Sequence, residues 1–224
     1  ANDDYLGKEL VFRGGTCLHK LRLDSALRYS EDLDYVRRSA GSISEIIDAI
    51  RAIANGFDMS VTTKITTNPK IRLRASFESG SGTMSVKIEV NTYERSPAMG
   101  LQRVAYSVDN QWYRGAADVQ TFTVAELVAT KIRALYQRSK GRDLFDLWLA
   151  LTKLDVSPSD IIECFASYRP HKYNSTLAEQ NLRSKLANVN FRHDLDQLVS
   201  SWPGDYDIDT AAELVIDQLL RRII

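Results

Sequence analysis

Residues 10–36 read LVFRGGTCLHKLRLDSALRYSEDLDYV, and this stretch decides the fold. Leu10 to Arg13 is a short apolar run of strand character. Gly14 and Gly15 break it as a turn, and Thr16 is a residue type that caps a helix, here predicted to run to about Leu23. Tyr29 to Val36 alternates in character. As a strand it puts Ser30, Asp32 and Asp34 on one face and Leu33 on the other, because successive side chains point to opposite sides. Strand, glycine turn, helix and second strand within so little chain is an α/β beginning.

The pattern extends outward from there. A helix is predicted from Ser42 to Asn55, with Ser42 and Glu45 as a capping box and Gly56 as its stop. From Asp58 to Val108 the period becomes two, giving strands at Met59 to Ile65, Ile71 to Phe77, Ser85 to Asn91 and Leu101 to Tyr106. Asn68-Pro69 and the glycine-rich Ser79 to Gly82 serve as turns. Beyond Gln120 the pattern is helical. Thr123 with Glu126 opens a helix to about Ser139, Arg142 to Leu154 is the next, and Ser157-Pro158 starts one reaching Tyr168. Further helices are expected at Ser175 to Asn188, Phe191 to Leu198 and Thr210 to Arg222. The expected fold class is therefore α/β in the α+β sense: a mixed-sheet core over residues 1–120, then a helical half, 121–224, that contributes to an active-site cleft.

A chain of 224 residues can bury a core without covalent staples. Cys17 and Cys164 match no zinc spacing, and are expected as reduced thiols in a cytoplasmic protein. No run approaches the roughly 20 apolar residues of a membrane span, so no membrane partner is expected. The polar, acidic start ANDDY does not read as a signal peptide, and a further N-terminal element is expected to precede it. The 29 basic and 29 acidic side chains cancel, which argues against coating nucleic acid by overall charge. Lys131 to Arg142, KIRALYQRSKGR, is nonetheless basic with no acid in it. It reads either as a phosphate-holding segment or as a solvated helix face with a basic end.

Asp32 and Asp34 present two carboxylates about 7 Å apart on one strand face. Like charges so close raise each other's pKa unless a cation lies between them, and magnesium suits hard oxygen donors and phosphates. In SVKIEV, residues 85–90, Val86, Ile88 and Val90 would face a core and Lys87 and Glu89 the opposite side. An Asp-x-Asp edge facing Glu89 on a neighbouring strand would make a three-carboxylate site able to align a nucleoside triphosphate and activate a hydroxyl. The Gly14-Gly15-Thr16 turn adds backbone N–H groups and a hydroxyl for phosphate, without the spacing of a Walker loop. Each signal also has an ordinary structural reading: a solvated carboxylate pair, a surface glutamate, a tight turn.

Phe12-Arg13-Gly14-Gly15-Thr16 followed by Ser30-Glu31-Asp32-Leu33-Asp34 resembles the first motif of the AbiEii/AbiGii nucleotidyltransferase toxin family, within the DNA polymerase β-like nucleotidyltransferase superfamily. Lys87-Ile88-Glu89 resembles the second motif, TVAELVATK at 123–131 the third, and KGRDLFDL at 140–147 the fourth, all in family order. The resemblance implies a polymerase β-like core. It implies Asp32 and Asp34 as metal ligands, with Glu89 completing the site for Mg2+, Mn2+ being an alternative. Nucleotide binding would fall to Gly14, Gly15, Thr16, Ser30, Lys87, Lys131 and Arg142. Lys131 would meet phosphate, and Asp143 or Asp146 would serve as orienting residue or base. Arg13 replaces a common lysine, keeping the charge but changing donor geometry.

The implied activity is transfer of a nucleoside monophosphate from an NTP to an RNA 3′ hydroxyl, transfer RNA foremost, with pyrophosphate release and a block on translation. A separate cognate antitoxin would be the protein partner. Lys70, Arg72 and Arg74 are candidates to guide RNA. Trp112, Tyr113 and Tyr136 are candidate stacking groups, and His171 and Lys172 candidate contacts in the tail. The competing readings are nucleotidylation of a protein or small molecule, and a catalytically silent RNA-binding or interaction module.

Overall fold

The structure, a computed structural model, describes residues 1–77, 80 and 82–224, so Ser79 and Ser81 of the expected glycine-rich turn lie outside the described residues. The chain divides into two compact units, one of Ala1–Cys17 and Glu31–Phe122, the other of Leu18–Ser30 and Thr123–Ile224. Segment 18–30 thus groups with the helices.

The first unit is a seven-stranded mixed sheet. In chain order the strands are β1 (Leu10–Arg13), β2 (Asp32–Arg37), β3 (Ser60–Lys64), β4 (Lys70–Ser76), β5 (Thr83–Asn91), β6 (Leu101–Asp109) and β7 (Arg114–Phe122), and across the sheet they run β3-β4-β5-β2-β1-β7-β6. Hairpins make β3-β4, β4-β5 and β6-β7 antiparallel, whereas β2 lies parallel to β5 and β1 parallel to β7. β2 is consequently interior, between β5 and β1.

Two helices, the first and the third in chain order, supply residues to the sheet's apolar core. The first, α1 (Leu6–Glu9), precedes β1, and α2 (Gly14–Leu21) follows it and carries the boundary between the units. The third, α3 (Ser44–Asn55), buries Ile46, Ile47, Ile50 and Ala54, the spacing of one helical face. Ile46, Ile47 and Ile50 pack with Leu6, Leu10, Ile71, Ile88 and Val90. Each such burial contributes about 1.5–3 kcal/mol relative to an exposed side chain. Because this side takes the odd positions of β4 and the even positions of β5, Arg72, Arg74 and Lys87 are left to the other.

Several expectations are corrected. β2 begins at Asp32, so Ser30 is not a strand residue. Gly14 and Gly15 form the first turn of α2 instead of a loop before it. Ser42 does not cap α3, whose flanking residue Ile43 makes no side-chain cap; the Ser42 hydroxyl bonds Ser44, and Glu45 accepts from Tyr5 at 3.1 Å. β7 was not foreseen at all, and β6 extends past Tyr106. The sequence RGAADVQTF is poor in β-formers at its start, but nine register partners on β6 override that preference.

The second unit contains α4 (Val124–Gln137), α5 (Gly141–Lys153), α6 (Pro158–Phe165), α7 (Ser175–Leu186), α8 (Val189–Arg192), α9 (Ile208–Gln218) and a terminal 3-10 turn, Leu220–Arg222. Thr123 caps α4 by accepting from the Glu126 amide at 3.2 Å, and Ser157 caps α6 with Pro158 in its first turn. The expected helix at Phe191 to Leu198 is only the short α8 followed by turns. Val128, Ile132, Leu144, Leu147, Phe165 and Val215 are all fully buried in its core. Gly141 is required where α5 starts, because a Cβ would sit 2.3 Å from the Phe191 carbonyl oxygen. Among the described residues no helix is long and apolar enough to cross a membrane.

Candidate active site

The sheet unit brings Asp32, Asp34, Lys87 and Glu89 to one face. The parallel register sets Asp32 opposite Lys87 and Asp34 opposite Glu89, and Asp34 is also opposite Arg13 on β1. Lys87 Nζ lies 2.7 Å from Asp32 Oδ2 and 2.8 Å from Glu89 Oε1, and Lys70 Nζ lies 3.1 Å from the same glutamate oxygen. Burial works against the Lys87 ammonium, but the two carboxylates outweigh it and hold its pKa above the ordinary lysine value. For Glu89, burial pushes the pKa up, while Lys87 and Lys70 pull it below the usual range. About a quarter to a third of each of these three side chains remains exposed, so a ligand can reach them.

The glycine turn shapes this face from below. Gly14 has φ +79, a conformation that costs an L residue about 1–2 kcal/mol, and a Cβ there would lie 2.2 Å from Asp34 Oδ2. The carboxylate of Asp34 therefore occupies space that only glycine vacates. Thr16, a buried residue, donates its hydroxyl to the Asp32 carbonyl at 2.5 Å, tying the start of α2 to β2. Arg13 is bound to Glu94 at 2.7 Å.

The donor chemistry fits a hard divalent cation: carboxylate oxygens, partly open, on adjacent strands. Among the described residues no group of three or more His, Cys, Asp and Glu is arranged to hold a metal. The Lys87 ammonium sits between Asp32 and Glu89 and supplies positive charge there.

The helical unit gathers Lys131, Asp143 and Asp146 with two residues that the sequence reading missed, Arg28 and His19. Asp146 is fully buried. It accepts from Arg28 Nε at 2.8 Å and Nη2 at 2.7 Å, lies 2.7 Å from Lys131 Nζ, and is 3.0 Å from His19 Nε2. Burial would raise its pKa, yet Lys131 and Arg28 hold it well below the usual carboxylate range. An aspartate kept that acidic is a poor proton acceptor near neutral pH and a good orienting group. Asp143, also fully buried, accepts from Arg138 at 2.7 and 2.8 Å and lies 3.6 Å from Lys131. His19 Nδ1 is buried and has no hydrogen-bond partner among the described residues.

The basic segment is correspondingly less free than its composition suggests. Lys140 pairs with Asp194 at 3.3 Å, and Arg142 lies 3.7 Å from the same aspartate, which also accepts from the Arg142 amide. Ser30 is half-buried in irregular chain before β2. Tyr136 packs on Tyr173, while Trp112 and Tyr113 stand exposed between β6 and β7. His171 and Lys172 are exposed.

The class is nucleotidyltransferase by family, and within it this chain's mixed sheet carries an Asp-x-Asp strand beside a glutamate strand, with Gly14-Gly15-Thr16 opening the helix after β1. The chain belongs to the AbiEii family: the family model described as nucleotidyl transferase AbiEii toxin, type IV TA system, matches residues 1–214. No curated protein matches it. Among solved structures, JHP933 from Helicobacter pylori shares the fold at 16% identity and TM-score 0.56, over 97% of this chain and 85% of that one. A second Helicobacter pylori structure does so at 18% identity and TM-score 0.56, over 97% and 88%. MenT4, a nucleotidyltransferase toxin from Mycobacterium tuberculosis H37Rv, aligns at 18% identity over 96% and 85%, with a TM-score of 0.46 that adds nothing to the fold comparison.

Proposed function

We propose that this chain transfers a nucleoside monophosphate from an NTP to an RNA 3′ hydroxyl, transfer RNA foremost, and so inhibits translation in the cytoplasm under the control of a separate cognate antitoxin. The observation that carries the reading is the β2/β5 register, which aligns Asp34 with Glu89 and Asp32 with Lys87 on an accessible face.

In the reaction the acceptor hydroxyl oxygen attacks the α-phosphorus and loses its proton. The bond from that phosphorus to the bridging oxygen breaks, and pyrophosphate leaves. Mg2+, or Mn2+, held by Asp32 and Asp34 with Glu89 completing the donor set, would supply charge neutralisation and activation of the hydroxyl. Gly14 keeps the Asp34 carboxylate seated, and the backbone of Gly15 and Thr16 offers N–H groups at a helix start, favourable to phosphate. Lys87 is the cation that holds the acidic face together before substrate arrives and is free to turn to phosphate afterwards. The roles of Lys131, Arg142 and Ser30 toward the nucleotide rest on the family motifs, with Asp143 and Asp146 orienting Lys131.

The test is incubation with Mg2+, total transfer RNA and each α-labelled NTP in turn, separating RNA, protein and small molecules. Label in RNA supports the proposal and names the base. Label confined to protein or to acid-soluble product transfers the assignment to those acceptors, and normal RNA binding without label anywhere would favour the noncatalytic reading.

A further inference from the structure

The sheet face that carries the acidic site continues, on β3, β4 and β5, as a basic surface. Directly paired residues on neighbouring strands point to the same side. One row across this face is therefore Lys64, Lys70, Glu89 and Asp34; the next is Thr62, Arg72, Lys87 and Asp32; the third is Ser60, Arg74 and Ser85. Carboxylates occupy the interior end of the first two rows, and toward the free edge at β3 the first row carries Lys70 and Lys64 and the second Arg72. Lys64, Arg72 and Arg74 are exposed. None of the three has a carboxylate partner among the described residues, in contrast to Lys70 and Lys87, which are spent on Glu89 and Asp32. Arg72 makes one contact, to the Ser85 hydroxyl at 3.2 Å, and this leaves its remaining donors open.

We infer that this open face of β3, β4 and β5 is where the acceptor lies, as a single strand of nucleic acid held by its phosphates with its terminal hydroxyl directed to Asp32 and Asp34. This rests on the proposed function and assigns its acceptor surface. Charge complementarity is one support: three unpaired cations on one flat face call for a polyanion. Continuity is the other, since the charges begin one strand away from the carboxylates, about 5 Å per strand, so one ligand can reach both. The face positions from Ser60 to Glu89 that pair across these strands carry hydroxyls and charges and no aromatic residue. Without a stacking platform such a surface holds the backbone and does not read bases, and sequence recognition must come from elsewhere.

The experiment uses the full chain and its Lys64→Gln/Arg72→Gln/Arg74→Gln variant, all exposed positions outside the hydrophobic core. Fluorescence anisotropy measures affinity for a labelled single-stranded RNA with a free 3′ hydroxyl over a series of salt concentrations, and for polyglutamate as a nonnucleic polyanion; calorimetry measures binding of NTP with Mg2+. Each lost phosphate contact lowers the slope of log affinity against log salt by about 0.7, so the variant should lose about 2 from the slope. Its RNA affinity near physiological salt should fall by about tenfold or more, equally for unrelated RNA sequences, with NTP binding unchanged. An unchanged slope overturns the inference. Equal weakening for polyglutamate and RNA of matched charge, or a loss only for polyglutamate, overturns it in favour of an acidic protein partner. Asp34→Ala should bind RNA as the wild type does; if the wild-type chain itself binds RNA through these cations but transfers nothing to any acceptor, the acceptor surface stands while the catalytic proposal falls.

Discussion

Both units gather carboxylates around a lysine, but they do so in opposite environments. On the sheet, Asp32, Lys87 and Glu89 are a quarter to a third exposed. In the helical unit, Asp143 and Asp146 are wholly buried, and Lys131 and Arg28 almost so. An exposed carboxylate can exchange its lysine for another cation at little cost, since screened ion pairs contribute about 0–1 kcal/mol. A buried one cannot, because whatever is removed leaves an unpaired charge away from water. The open cluster is suited to bind and release; the closed one is suited to fix Lys131 in place.

This contrast is broken or sharpened by substitution. The largest effect is expected at the closed cluster. Asp146→Ala strands Arg28 and Lys131 and should destabilise the protein by about 3–5 kcal/mol in urea unfolding; a loss near zero would mean that water reaches the site. Gly14→Ala, which forces a Cβ against Asp34 in a left-handed conformation, should cost about 1–2 kcal/mol from backbone strain and abolish transfer. Lys87→Met should change stability by less than about 1 kcal/mol and enlarge the stabilisation by Mg2+ in thermal melts, since Asp32 loses its lysine and Glu89 keeps only Lys70. A smaller Mg2+ effect than in wild type would show that Lys87 is not the competitor.

Acid separates the clusters more subtly. A carboxylate with a depressed folded pKa contributes stability that is fully present above its unfolded value and lost as pH falls through the folded one. For Asp146, well below 3.8 when folded, the difference between wild type and Asp146→Asn should stay constant down to about pH 4 and shrink only below it. The corresponding loss for Glu89, depressed from 4.5, begins at a slightly higher pH and is smaller, because partial exposure screens the pair.

Periodicity made Asp32, Asp34, Lys87 and Glu89 legible as face-sharing strand residues, and Thr123 and Ser157-Pro158 legible as helix starts. Local pattern cannot supply which strand lies beside which. The parallel pairing of β2 with β5, and hence the Lys87 bridge, joins residues some fifty positions apart and leaves no trace in either segment. Arg28 and His19 went unread for the same reason, standing 118 and 127 residues from Asp146. Lys131 opens a basic segment that reads as phosphate-holding or as a solvated helix face, but its ammonium is turned to two buried aspartates. β7 was missed because Gly115, Ala116 and Ala117 dilute its strand character, and only its long pairing with β6 reveals it.

The most direct test of the account is transfer by Asp34→Asn, a substitution that keeps the shape of the side chain seated over Gly14 and removes its charge. The account predicts an unchanged far-UV spectrum, a melting temperature close to that of the wild type, intact RNA binding, and no label transferred from any α-labelled NTP to any acceptor. Transfer at the wild-type rate would contradict it, and would remove the β2 carboxylates from the chemistry of this protein.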